Sequence, residues 1–129
     1  MLRLLPLLPA ALAALTAGVH IFVGTFDTLL PVTSGTLPLM VRGTMAACWH
    51  ILGLFLAVSA WVFARDGAAR ICLAWLWIGG GVIFVVTALW MGGLSALLIL
   101  PQWILLLPTG LAALWLRGVP HHHPSGQGT

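Results

Sequence analysis

Charge is what this sequence has least of. Only 7 of its 129 residues are formally charged, five arginines and two aspartates, with neither lysine nor glutamate. A charged fraction of 5%, against about 25% in soluble domains, cannot build a water-facing surface. Two carboxylates also leave little for paired acid–base catalysis, and no enzymatic activity is expected. The sequence pI of about 10.3 does not signal nucleic acid, because five dispersed arginines make no basic stripe.

Apolar length is what the chain does have. Hydrophobic residues make up 61% of it, with a mean hydropathy of +1.13. A span needs about 20 such residues, and a charge at the bilayer centre costs about 2.5–3.5 kcal/mol. Four uncharged windows pass this test, at about 4–26, 44–64, 71–91 and 94–116. The expected fold is an all-α, antiparallel four-helix membrane bundle forming one domain, with residues 118–129 as a disordered tail. Arg3 with an apolar run and Ala11-Leu12-Ala13 loosely imitates a signal peptide. The run continues to Phe26, longer than a signal's apolar core, so the segment reads as a retained span.

The arginines orient the bundle. Arg3, Arg65, Arg70 and Arg117 fall on the side of the two tails and the second connection, while Arg42 stands alone opposite. The positive-inside rule makes both termini cytoplasmic. Residues 27–43 form a long first connection rich in leucine, expected at the interface or over the helix ends, with Asp27 and Arg42 placed to pair across it. Gly92-Gly93 is a tight turn that makes the third and fourth spans antiparallel neighbours.

Few polar residues lie inside the spans, and four fall in one layer. His20 and His50 each lie six residues from the outer end of their windows, about 9 Å deep by helical rise. Thr87 and Gln102 lie at comparable depth on the third and fourth spans. Around His20 at 100° per residue gather Pro9, Ala13, Thr16, Gly24 and Asp27. Around His50 gather Gly43, Ala46, Leu54, Ala57 and Trp61, with Gly53 at the margin, and the fourth span aligns Ser95, Gln102, Thr109 and Ala113. Small and polar residues mark faces that pack on protein, so both histidines are expected to point inward.

Several readings of that layer stay open. The groups can simply hydrogen-bond between helices, for about 0.6 kcal/mol each. Intramembrane ionisable residues also line pathways or hold ligands. Two histidines are the axial set of a b-type haem, with Gly24 and Gly53 making room for the macrocycle. His20, His50 and Asp27 form a weaker metal set, and passage of a proton or small solute is a further reading. The leading expectation is a non-enzymatic membrane protein that binds a ligand at this layer or supports a partner complex, with the lipid bilayer and a homo-oligomer as partners.

Other features read more simply. Cys48 and Cys72 fall near opposite membrane surfaces, about 20 Å apart by rise, too far for a disulfide. Trp49, Trp61, Trp90 and Trp115 suit interfaces, and Pro101 and Pro108 should kink the fourth span. His121, His122 and His123 belong to the tail.

His20-Ile21-Phe22-Val23-Gly24, then Arg42, Ala47-Cys48-Trp49 and Gly53, together resemble the pattern of a family of small four-span bacterial inner-membrane proteins of unknown function. The resemblance covers the first half of the chain and implies the four-span fold, a bacterial source and the inner membrane. His50 departs from the family pattern, where an apolar residue is expected. Small multidrug exporters match in length, but they have an acidic residue in the first span and this chain has none there.

Overall fold

The computed structural model describes residues 2–65 and 67–116, with the side chains of residues 2–4 not described. The described chain is helical, in four helices that we number α1 (Leu5–Ser34), α2 (Leu39–Phe63), α3 (Ala68–Ile99) and α4 (Trp103–Trp115). Three of them, α1 to α3, are long and apolar enough to cross a membrane; α4 has 13 residues, about 20 Å. The tail at 118–129, its three histidines, Asp66 and Arg117 lie outside the described residues, as does the side chain of Arg3.

Both helices of the first pair run longer than hydropathy predicts. The expected 17-residue connection is mostly helical and shrinks to residues 35–38. Helix α1 passes Asp27 by changing its winding. Val19–Val23 and Thr25–Leu29 are π-helical, with Gly24 N–H bonded to Val19 O and Leu30 N–H to Thr25 O. The α pattern resumes at Leu30, so Pro31, which has no N–H to give, sits where a new hydrogen-bond run begins. Thr33 and Ser34 close the last turn with hydroxyl bonds to Leu29 O and Leu30 O at 2.9 and 2.6 Å.

Arg42 does not pair with Asp27. Its Nη1 donates to Thr33 O at 2.8 Å, tying the start of α2 to the end of α1, and Asp27 accepts from the Thr28 hydroxyl at 2.7 Å. The longer helices carry charge as well. Asp27, Arg42 and Arg70 all fall within helical segments, not in connections.

The expected fourth span is not one continuous helix. Gly93 turns the chain with φ 65° and ψ −154°, a backbone that side-chain-bearing residues rarely adopt. A short arm follows to Ile99, and the helix breaks again at Leu100, immediately before Pro101, whose ring disfavours a helical predecessor. Trp103 Nε1 spans the break, donating to Leu97 O at 3.1 Å. Beyond it α4 runs antiparallel to α3, placing Leu107 against Gly81 and Gly110 against Ala74 and Ile78.

Helix α1 packs between α2 and α4, and α3 packs mainly on α4. The core is small: Ala13, Ala17, Leu56, Phe63, Ala74, Trp77 and Ala113 are buried together, with the Phe63 and Trp77 rings 5.7 Å apart. Most other large apolar side chains face outward, as lipid contact requires. The face centred on His20 is recovered in part: Pro9, Ala13 and Thr16 are buried, while Asp27 is exposed. The buried face of α2 is instead Gly53, Leu56, Ser59 and Phe63. It is turned away from His50, which is exposed.

Arg70 is the largest departure from the expected charge map. It lies in the first turn of α3 at 3% exposure, not in a solvated connection. Its Nε donates to Ala113 O at 3.0 Å, Nη1 to Phe63 O at 3.1 Å and Nη2 to Leu116 O. One guanidinium thus caps the C-terminal ends of α2 and α4, where helix dipoles favour positive charge.

Candidate functional site: a groove between the first two helices

A half-open groove of about 270 Å³ lies between α1 and α2. From α1 it takes His20, Ile21 and Thr25; from α2 it takes Trp49, His50, Gly53, Leu54 and Ala57.

His20 is the most constrained of these. Its ring stacks on Trp49, centroids 4.1 Å apart and planes at 20°, and Nε2 lies 3.0 Å from Trp49 O. Because a carbonyl only accepts, Nε2 carries the proton and Nδ1 is the acceptor of the neutral ring. Gly24 allows this approach: a Cβ there would lie 2.7 Å from Trp49 Cζ2, whereas one on Gly53 would make only ordinary contact with His20 Cδ2, at 3.5 Å. The Trp49 indole N–H is buried and finds no acceptor among the described residues.

Winding explains why Thr25 joins the site. It is five residues after His20, a spacing that α-periodicity sends to another face. The π turns pair i with i+5 and bring it round to the groove. Its hydroxyl donates to Ile21 O at 2.6 Å.

Depth changes along with helix length. His20 stands 15 residues after Leu5 and 14 before Ser34; His50 stands 11 after Leu39 and 13 before Phe63. Each is therefore near the middle of its helix, roughly 16–23 Å from either end, not near an outer surface.

The expected four-residue layer is only half assembled. His20 and His50 share the groove, but Thr87 is half-buried on α3 and Gln102 is exposed at the break before α4, and neither lines it. Gly24 and Gly53 are at the site, but they bring α1 and α2 into contact and leave no slot between them. That contact does not fit a bis-histidine haem. The macrocycle would have to enter where Gly53 meets His20, and His20 Nε2 is already committed to a carbonyl. Nor do three groups of the His, Cys, Asp and Glu types cluster for a metal among the described residues; Asp27 is bonded to Thr28 instead. Cys48 and Cys72 are free and exposed.

Thr25, Ile21 and Trp49 were not expected at the site. Trp49 reads as an interface anchor from its place in the window, and only its position one residue before His50 hinted otherwise. Compared with protein-family models, with curated proteins and with solved structures, the chain matches none.

Proposed function

We propose that the chain is a multi-pass protein of a bacterial inner membrane, its helices forming an antiparallel bundle with both termini cytoplasmic. Its function is non-enzymatic: it binds a lipid-soluble ligand in the α1–α2 groove, alone or as part of a membrane complex. One observation supports this above the others. An exposed imidazole, His50, stands at mid-helix beside a constrained one, His20, in a groove built on π-helical turns. Ionisable groups at membrane depth are expensive and generally serve a pathway or a ligand, and π turns are frequent at functional sites. The groove opens laterally between two helices, which favours a ligand arriving from lipid over one passing across the membrane.

Two measurements test the reading. In a background lacking Cys48 and Cys72, a cysteine at Thr36 should react with an impermeant maleimide from the periplasmic side, and one at Ala64 only after the membrane is opened. The reverse pattern refutes the orientation. A photoreactive alkyl probe in vesicles should label the groove peptides saturably. Labelling spread evenly over all exposed helix faces refutes the site.

A further inference from the structure

The hydrogen-bonding pattern of the groove narrows its ligand further than its shape does. His20 commits its Nε2 proton to Trp49 O, which leaves Nδ1 as an acceptor. Thr25 gives its hydroxyl proton to Ile21 O, so its oxygen can only accept. His50 makes no hydrogen bond to another described residue and, neutral, offers one donor and one acceptor. No arginine or carboxylate lines the groove; the rest is Ile21, Leu54, Ala57, Gly53 and the Trp49 ring. Beside His50, Ile51 and Leu54 are 67% and 66% exposed, extending an apolar flank from the groove.

We infer that the ligand is a lipid-soluble quinone, bound as quinone or quinol; this rests on the reading of the groove as a lipid-soluble ligand site. A quinone carbonyl accepts from the His50 N–H, and a quinol hydroxyl donates to His20 Nδ1 or Thr25 Oγ1. The ring is flat, uncharged and of a size for about 270 Å³, and its alkyl tail continues along the Ile51 and Leu54 flank. Competing classes satisfy less of the site. A fatty-acid carboxylate or lipid phosphate meets no fixed cation there. A bare hydrocarbon leaves His50 uncompensated at mid-helix, where an unpaired polar group is costly. The inference concerns binding of both redox forms and includes no electron transfer.

The test uses the full chain in phosphatidylcholine nanodiscs with a decyl-tailed azidoquinone, and with decyl-ubiquinone and decylbenzene as competitors. Saturable labelling of peptides containing residues 21–25 or 50–57 is expected. A tenfold excess of decyl-ubiquinone should suppress it and decylbenzene should not. His50→Leu and Ala57→Phe, both at exposed positions, should each weaken quinone binding about tenfold or more, the loss of one hydrogen bond or of the ring's space. Their thermal unfolding should match the parent protein. Equal competition by decylbenzene, or unchanged affinity in His50→Leu, overturns the quinone while leaving a lipid-binding groove. Labelling outside the groove, or cross-links joining α2 of two copies, overturns both the quinone and the groove as a ligand site.

Discussion

His20 lies face to face with Trp49 of the neighbouring helix, rings 4.1 Å apart, while its Nε2 donates to the Trp49 backbone carbonyl at 3.0 Å. One tryptophan therefore holds the histidine twice, by its face and by its main chain. An imidazole held in this way has a defined tautomer and a defined orientation. Both are conditions for a binding group and neither is needed for lipid contact.

Separating the two holds is straightforward. A hydrogen bond contributes about 1 kcal/mol and an aromatic stack about 0.5–1.5 kcal/mol. His20→Ala should lower stability by about 1–2 kcal/mol, and His20→Phe, which keeps the stack, by about half of that. Thermal unfolding in detergent measures both. Equal losses would mean that the stack contributes nothing.

Arg70 should be the least replaceable charge. Its guanidinium reaches carbonyls at the ends of α2 and α4. Hydrogen bonds from charged donors contribute about 1.5–3 kcal/mol each, and a lysine lacks the planar fork. Arg70→Ala should cost about 3 kcal/mol or more, and Arg70→Lys only partly less. Hydrogen exchange at Ala112 to Leu116 should accelerate in both. Unchanged exchange there would refute the capping role.

Thr109 offers a stabilising change. It is fully buried, and its hydroxyl has no partner among the described residues, unlike Thr16, which bonds to Leu12 O at 2.8 Å. An unpaired buried polar group costs about 1–3 kcal/mol. Thr109→Val, nearly equal in shape, should raise stability by about 1 kcal/mol; a lower melting temperature would show that the hydroxyl has a partner in solution.

Glycines of α3 and α4 should separate sharply. A Cβ on Gly110 would lie 2.8 Å from Ala74 O and 3.0 Å from Ile78 N, backbone atoms that no rotamer change can move, whereas one on Gly79 meets nothing within 4 Å. Gly110→Ala should cost about 1–3 kcal/mol through overpacking. Gly79→Ala should be neutral or stabilising by up to about 1 kcal/mol through helix propensity. Denaturation of the pair under identical conditions checks the contrast, and similar values would refute the close approach of α3 and α4.

Much of the helical content is legible in the residues alone, because burying backbone amides in lipid leaves helices as the way for an uncharged apolar chain to satisfy them. The Pro9, Ala13 and Thr16 stripe pointing into the protein was legible for a related reason. Small side chains on one side of a helix permit backbone approach wherever the partner lies. The turn at Gly93 was also readable, since a glycine pair between long apolar runs has few other uses.

Other features needed the tertiary structure because they depend on partners distant in sequence. Arg70 is buried by carbonyls more than forty residues away at Ala113 and Leu116, and no local pattern distinguishes it from exposed Arg65, which instead lies 4.1 Å over Trp61. Thr25 reaches the groove only because α1 changes to π winding, which a fixed 100° period cannot represent. Hydropathy windows stop at charge, before Asp27 and after Arg42, whereas α1 continues to Ser34 and α2 already begins at Leu39, which puts His20 and His50 each near mid-helix. Composition decides that this chain belongs in lipid, since so few charges cannot cover a surface in water. Which two helices meet, and therefore that His20 faces Trp49 with Gly53 at its edge, is decided by side-chain contact across the helix pair.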